Sequence, residues 1–330
     1  MADDVRPASP VPPSLVALTP LTAITDASGG LAILAMDQRG TLRSMLNDAG
    51  RPDGDDELRS FKVDVVRALS PLATGVLLDA EYGVEAVRAA GALAPGTGLL
   101  VAAEVSPAPS YQGEPRAAYD PARGPAWVRG LGGSALKFLV RWRPDRPVTG
   151  GGPDLAAEAV HAVRGVVADC RAVGLPSVVE PLVQRLPGES LDAAAKEALV
   201  VESARRLARL RPDLLKLEWP GAAGCSQITA ALAGVPWALL SAGVAFDEFA
   251  ERVAVAVAAG ARGFIAGRAI WGEAVRLDGA ERVAFLDEVA RPRLARLIDV
   301  LASSRGGTIP GAGAAVGAAT GNGAGEEVPA

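Results

Sequence analysis

The sequence predicts a single (β/α)8 barrel, and three observations lead to it. Short, continuously apolar runs recur eight times. Longer amphipathic stretches separate them. Nearly every run ends in a polar or charged residue. Continuous apolar character marks parallel strands covered on both faces. Strand–helix alternation implies a parallel sheet, and eight repeats favour a closed barrel over an open doubly wound sheet. No Gly-x-Gly-x-x-Gly follows the first run, which argues against a dinucleotide-binding open sheet.

Residues 1 to about 20 hold five prolines and no periodic pattern, so a mobile arm is expected there. The barrel is expected over residues 21–304. Its candidate strands are Leu31–Met36, Gly75–Leu78, Gly98–Ala103, Ala135–Val140, Ser177–Glu180, Leu214–Leu217, Trp237–Leu240 and Gly263–Ala266. Helical spacing appears at Glu57–Leu69, where Leu58, Phe61, Val65, Val66 and Leu69 fall on one face. Leu155–Val173, Ala193–Leu210, Phe246–Ala259 and Glu281–Ala302 read the same way. Residues 305–330 are mostly Gly and Ala, cannot bury a core and are expected to be disordered.

Composition narrows the function. Hydrophobic content of 49% and charged content of 22% are those of a globular protein, and the net charge of −5 offers no basic footprint for nucleic acid. No apolar run approaches a membrane span, so no membrane partner is expected. Met1-Ala2-Asp3-Asp4 lacks the basic and apolar regions of a secretory signal. Cys170 and Cys225 show no metal or redox spacing. A cytoplasmic protein with inert thiols is the expectation, and a homo-oligomer is allowed. The chain has a single histidine, His161, placed on a helix away from any strand end. A multi-histidine zinc site and a Ser-His-Asp hydrolase are thereby excluded. Acid–base chemistry must rest on carboxylates, lysines or tyrosines.

Lysine is scarce: four lysines (Lys62, Lys137, Lys196, Lys216) stand among 33 basic residues. Lys137 and Lys216 lie inside apolar strands. A buried lysine shifts its pKa readily and becomes a usable nucleophile, although a lone one more often snorkels or pairs at a strand end. In a barrel, catalytic groups occupy the C-terminal strand ends. The residues at or near those ends are Asp37, Asp79, Glu104, Lys137, Glu180, Lys216, Ser241 and Gly267-Arg268. Such clustering of buried charge is expensive as a stability device, so it points to function.

The last two strands add a second signal. Strand seven ends in Ser241-Ala242-Gly243-Val244 and strand eight in Gly267-Arg268. In barrels of this type these loops commonly hold a phosphate. Small residues let backbone N–H groups approach an anion, and Arg268 supplies charge-assisted hydrogen bonds. The competing reading is that the glycines only permit tight turns. Together the features suggest imine chemistry on a phosphorylated sugar. Lys216 would attack a ketone carbon, the ammonium of Lys137 would depress the Lys216 pKa, and Glu180 would move protons.

At these residues the chain resembles the class I aldolases that include tagatose 1,6-bisphosphate aldolase and sulfofructosephosphate aldolase. The stretches are Leu34-Ala35-Met36-Asp37-Gln38-Arg39, Phe61-Lys62-Val63, Ala68-Leu69-Ser70-Pro71, Leu77-Leu78-Asp79, Ala135-Leu136-Lys137-Phe138-Leu139-Val140, Val178-Val179-Glu180-Pro181, Leu215-Lys216-Leu217-Glu218, Leu240-Ser241-Ala242-Gly243-Val244 and Ala266-Gly267-Arg268-Ala269-Ile270-Trp271. They run in order from about residue 20 to 303. The resemblance implies a (β/α)8 aldolase needing no metal or cofactor. Lys216 would form the Schiff base, Glu180 would act as acid/base, and Lys137 and Asp37 would assist. Ser241, Gly243, Gly267 and Arg268 would hold the phosphate of the dihydroxyacetone phosphate half. Gln38, Arg39, Arg143 and Asp79 are further candidates for substrate contact.

The substrate signals divide. Arg141-Trp142-Arg143, Gly29-Gly30 and Glu180-Pro181-Leu182-Val183 resemble the sulfosugar enzymes, whereas Glu81-Tyr82-Gly83 resembles the tagatose enzymes. The longer run of similarities favours 6-deoxy-6-sulfofructose 1-phosphate, cleaved to 3-sulfolactaldehyde, over tagatose or fructose 1,6-bisphosphate. A metabolite-sensing regulator built on the same barrel is the non-enzymatic alternative.

Overall fold

A computed structural model describes residues 17–148 and 150–305. Most of the expected N-terminal arm, and the C-terminal tail after Arg305, lie outside the described residues. The eight expected strands form one closed parallel barrel: β1 (Leu31–Met36), β2 (Gly75–Asp79), β3 (Gly98–Ala102), β4 (Ala135–Trp142), β5 (Ser177–Val183), β6 (Leu214–Leu217), β7 (Trp237–Leu240) and β8 (Gly263–Ala266). Each pairs with its sequence neighbours, and β1 closes on β8 through Leu31 opposite Gly263. Strands β4 and β5 run further than expected. They pair from Leu136 opposite Ser177 to Trp142 opposite Val183.

Helices cover the outside: α1 (Gly40–Asp48), α2 (Asp55–Leu69), α3 (Glu85–Ala89), α4 (Pro125–Gly130), α5 (Leu155–Val173), α6 (Ala193–Ala208), α7 (Gly221–Ala231), α8 (Phe246–Ala258), α9 (Arg268–Trp271), α10 (Gly279–Phe285) and α11 (Arg291–Arg305). Their ends follow local chemistry. Asp154 and Asp192 accept the N–H groups of Ala157 and Ala195 at the starts of α5 and α6. Gly174, at φ +65°, ends α5. Three acidic residues, Asp55, Asp56 and Glu57, sit in the first turn of α2 and complement its dipole. His161 lies exposed on α5, as expected. The helix expected over Glu281–Ala302 is interrupted by a π turn at Leu286–Ala290. Pro292 is the cause to hand. It lacks an N–H for the Glu288 carbonyl, and its ring crowds that carbonyl. No helix among the described residues is long and apolar enough to cross a membrane.

Side-chain alternation along the strands makes two cores. Outward residues such as Leu34, Val76, Leu136, Val179, Leu215 and Phe264 pack under the helices. Inward residues Leu31, Ile33, Ala35, Leu77, Leu100, Ala102, Ala135, Val178, Leu214, Ala238 and Ile265 fill the barrel. Ile24 joins them, carried by the turn Thr22–Ile24. That turn lies so close to β3 that a Cβ on Gly98 would stand 2.0 Å from the Ala23 carbonyl. Burial pushes the Cys170 thiol up to about 12 and the Cys225 thiol up to about 11, which makes both unreactive near neutral pH.

Candidate active site

The inward alternation dictates what comes next. Two residues beyond Ala35, Ala102, Ala135, Val178, Leu214 and Ile265 stand Asp37, Glu104, Lys137, Glu180, Lys216 and Gly267. The apolar fill of the barrel therefore ends in a layer of charge at the C-terminal face.

Lys137 is the centre of that layer and is 1% exposed. Its Nζ lies 2.9 Å from Asp37 Oδ2, 2.9 Å from Glu180 Oε2, and 3.3 Å from Glu104 Oε1. Burial works against its charge, but Asp37, Glu104 and Glu180 together raise its pKa well above the ordinary lysine value. Burial likewise opposes the charge on Asp37. Lys137 first, and then Lys216, outweigh that and hold its carboxyl below the usual carboxylate range. Lys137 is thus a fixed ammonium and Asp37 a fixed carboxylate. Glu104 also takes the Leu139 N–H at 3.1 Å and the Arg39 guanidinium at 3.0 Å.

Lys216, 4% exposed, faces the other oxygen of the same carboxylate: Nζ to Glu180 Oε1 is 3.0 Å. Glu180 therefore bridges the two lysines. Three cations (Arg39, Lys137, Lys216) face three carboxylates (Asp37, Glu104, Glu180), so the layer is balanced in charge. It forms the floor of a cleft of about 440 Å³, with Gln38, Arg39, Arg141 and Arg268 around it. The loop after β3, with a short ribbon pairing Ser110–Tyr111 with Glu114–Pro115, walls one side.

A smaller recess of about 280 Å³ adjoins the cleft and shares Gln38, Glu180, Lys216 and Arg268 with it. Ser241 and Gly267 line it. The Gly267 N–H donates to Ser241 Oγ at 3.4 Å, and a Cβ on Gly267 would stand 2.4 Å from the Ala35 carbonyl. Gly243, at φ +81°, reaches the site only through Arg268. A Cβ there would lie 3.2 Å from the Arg268 guanidinium carbon, so glycine is what lets that side chain lie flat on the loop.

Two expected site residues are not brought in. Asp79 is next in the inward alternation of β2, yet it is fully buried and turned to α2, where Lys62 Nζ sits 2.5 Å from Oδ1 and the Tyr82 N–H donates to Oδ2 at 2.7 Å. Arg143 follows the last residue of β4, so strand alternation no longer sets its direction. Its guanidinium is clamped by Asp145 and Glu189, away from the cleft. Arg141, still within β4, does line the cleft. Two residues had no assigned role in the sequence. Glu104 was legible as a strand end, and here it couples Arg39 to Lys137. Glu218, two residues beyond Lys216 and one past the end of β6, holds the Val183 N–H and Lys196 at 2.7 Å each beside the smaller recess.

A parallel barrel with paired buried lysines and a carboxylate between them is the apparatus of a carbon–carbon lyase acting on a carbonyl compound. The comparisons agree. The family model described as DeoC/LacD family aldolase matches residues 31–273. Tagatose 1,6-diphosphate aldolase of Listeria monocytogenes serotype 4a (strain HCC23) is 29% identical over 296 residues, spanning 79% of this chain and 83% of its own. Tagatose 1,6-diphosphate aldolase 1 of Enterococcus faecalis (strain ATCC 700802 / V583) is 27% identical over 332 residues, 86% and 94% of the two chains. Among solved structures, an archaeal fructose-1,6-bisphosphate aldolase, with its catalytic lysine covalently bound to the carbinolamine intermediate, shares the fold. Its TM-score is 0.57 at 20% identity, over 83% of this chain and 96% of that one. This chain belongs to the DeoC/LacD aldolase family and is a lyase.

Proposed function

We propose that the protein cleaves a ketose carrying an anion at each end, through an imine on Lys216, to dihydroxyacetone phosphate and an aldehyde. The observation that carries this reading is the Glu180 carboxylate bridging Lys137 and Lys216 on the cleft floor. Lys137, fixed as an ammonium by three carboxylates, is unsuited to attack a carbonyl. Lys216 is the other buried lysine in the cleft. Its amine adds to C2, and loss of water gives the iminium. A carboxylate, Glu180, accepts the C4 hydroxyl proton, the C3–C4 bond breaks, and its electron pair moves into the iminium to give an enamine. The aldehyde leaves. Protonation at C3 and hydrolysis by water then release dihydroxyacetone phosphate and the free amine. Lys137 and Asp37 hold the field around these charges fixed.

Two guanidiniums support anions at both ends. Arg268 joins the Ser241–Gly267 recess, and Arg141 lies on β4 beyond Lys137. Neither has an ion-pair partner among the described residues. Arg268 with Ser241 and Gly267 would take the 1-phosphate, and Arg141 the distal group. The leading substrate is tagatose 1,6-bisphosphate, because the relatives above are tagatose 1,6-diphosphate aldolases. The sulfosugar reading favoured from the sequence rested on Arg141-Trp142-Arg143, Gly29-Gly30 and Glu180-Pro181-Leu182-Val183. Of these, Trp142 packs in the outer core and Arg143 is clamped elsewhere, while Arg141 lines the cleft. Buried, unpaired cysteines fit a reducing cytoplasm.

The test is side-by-side kcat/KM for tagatose 1,6-bisphosphate, fructose 1,6-bisphosphate and 6-deoxy-6-sulfofructose 1-phosphate. A bisphosphate should lead. Preference for the sulfosugar would return the distal group to a sulfonate and leave the mechanism standing. No cleavage of any of the three would overturn the proposal.

A further inference from the structure

Lys62 is a buried charge that the chemistry above leaves unused. It sits in the middle of the α2 stripe of Leu58, Phe61, Val65, Val66 and Leu69, facing the barrel, and is 0% exposed. It cannot touch substrate. A charge so placed must satisfy its donors to be tolerated. Of the three N–H groups of an ammonium, two donate to the Met36 carbonyl at 2.8 Å and the Gln38 carbonyl at 2.7 Å, and Asp79 Oδ1 stands 2.5 Å away as the ion-pair partner. Asp79 is equally buried and is itself anchored by the Tyr82 N–H.

The two carbonyls are informative. They belong to the residues immediately before and after Asp37. Strand β1 ends at Met36, whose last registered partner on β2 is Leu78. Beyond that point no strand holds the chain, and the Lys62 ammonium takes over. It directs both flanking carbonyls toward α2. Asp37 meets Lys137 at 2.9 Å on the other side, and Gln38 lies where the cleft and the phosphate recess meet. The four lysines are thus divided among distinct tasks, and this one grips backbone.

We propose that Lys62, with Asp79 as its counter-ion, is a positioning pair for the reaction, acting through Asp37 by fixing the chain at the end of β1. The inference rests on the aldolase reading above. The alternative is an inert plug between β1 and β2.

The experiment uses the full chain and the variant Lys62→Met/Asp79→Asn, which removes both charges together and leaves no buried ion unpaired. Ketose bisphosphate cleavage, thermal melting and borohydride trapping of dihydroxyacetone phosphate are measured. Misplacement of a reacting centre by about 1 Å costs on the order of a hundredfold, so kcat should fall by about 30- to 100-fold while KM changes less than about threefold. Trapping at Lys216 should persist. In an Asp37→Asn background, followed in single turnover, the same pair of changes should lower the rate by less than about threefold more, because the effect passes through Asp37. A kcat within about threefold of the parent, or a full multiplicative loss in the Asp37→Asn background, would overturn the proposal. Should the double variant not fold, Asp79→Asn alone keeps the volume and one acceptor oxygen, which can serve the Tyr82 N–H or Lys62 but not both. It should cost about five- to tenfold with the same dependence on Asp37, and an independent effect would again overturn it. Failure of the parent to cleave any ketose would strike the aldolase reading, and is seen before any variant is made.

Discussion

Replacing Lys137 by methionine keeps the stem and deletes the ammonium on which Asp37, Glu180 and Glu104 converge at 2.9, 2.9 and 3.3 Å. At about 3 Å and an effective dielectric of about 20, each contact represents roughly 5 kcal/mol of attraction. Most of that offsets desolvation in the parent. The variant is left with three buried carboxylates against Arg39 and Lys216, and breaking one side of such a pairing costs about 3–5 kcal/mol. With an unfolding entropy of about 0.6 kcal/mol/K for a domain this size, the melting midpoint should fall by about 5–8 °C at pH 7. The pH dependence has a definite sign. Asp37 is depressed below its ordinary value of 3.8, so its contribution is present above that value and fades as pH falls toward the depressed one. Lys137 is raised above 10.5, so its contribution is complete below that value and is lost only as pH rises through the raised one. The parent–variant gap should be flat across neutral pH and shrink below about pH 4. Thermal melts followed by circular dichroism from acid to neutral pH measure it. A drop under about 2 °C at pH 7, or a gap as wide in acid as at neutrality, would refute the reasoning.

Other expectations follow from the same geometry. Lys216→Ala should abolish turnover, and borohydride with dihydroxyacetone phosphate should add mass to the parent at Lys216; labelling at Lys137 instead would reverse the assignment. Glu180→Gln should lower kcat by about a hundredfold or more while imine trapping continues, and near-normal turnover would move the proton transfer to Asp37. Arg141→Gln should cut kcat/KM for a bisphosphate by about 10- to 100-fold, the worth of a charge-assisted hydrogen bond, and spare a ketose 1-phosphate with no distal anion; equal losses for both would remove Arg141 from the distal site. Activity should survive exhaustive chelation, since an ammonium stands where the carboxylates converge; loss with EDTA and recovery with a divalent ion would show a different chemistry.

The strands were legible because a parallel barrel covered on both faces writes itself as apolar runs, and their C-terminal ends then marked Asp37, Lys137, Glu180 and Lys216. Alternation carried the reading only as far as the strands did. It holds for Arg141 inside β4 and fails for Arg143 one residue past its end. At Asp79 it is overridden by a helix, since Lys62 supplies a partner on the outer side that no strand pattern encodes. Yet the clue was present: a lysine at the centre of the Leu58–Leu69 stripe breaks an otherwise apolar face. Helix α7, with the sequence Gly-Ala-Ala-Gly-Cys, offered too little amphipathic contrast to be singled out. The ribbon at Ser110–Pro115 is too short for any periodicity.

The seam between β1 and β8 gives the barrel a temporal order. Asp37 follows the first strand and Arg268 the last, and Leu31 can find Gly263 only after the six strands between them have been made. Until then the growing sheet has open ends and water reaches its inner face. Closure excludes that water in a single late event. The charged rim at the barrel mouth is therefore completed in that same closing step, since Asp37 and Arg268 are carried there by the two strands that meet last.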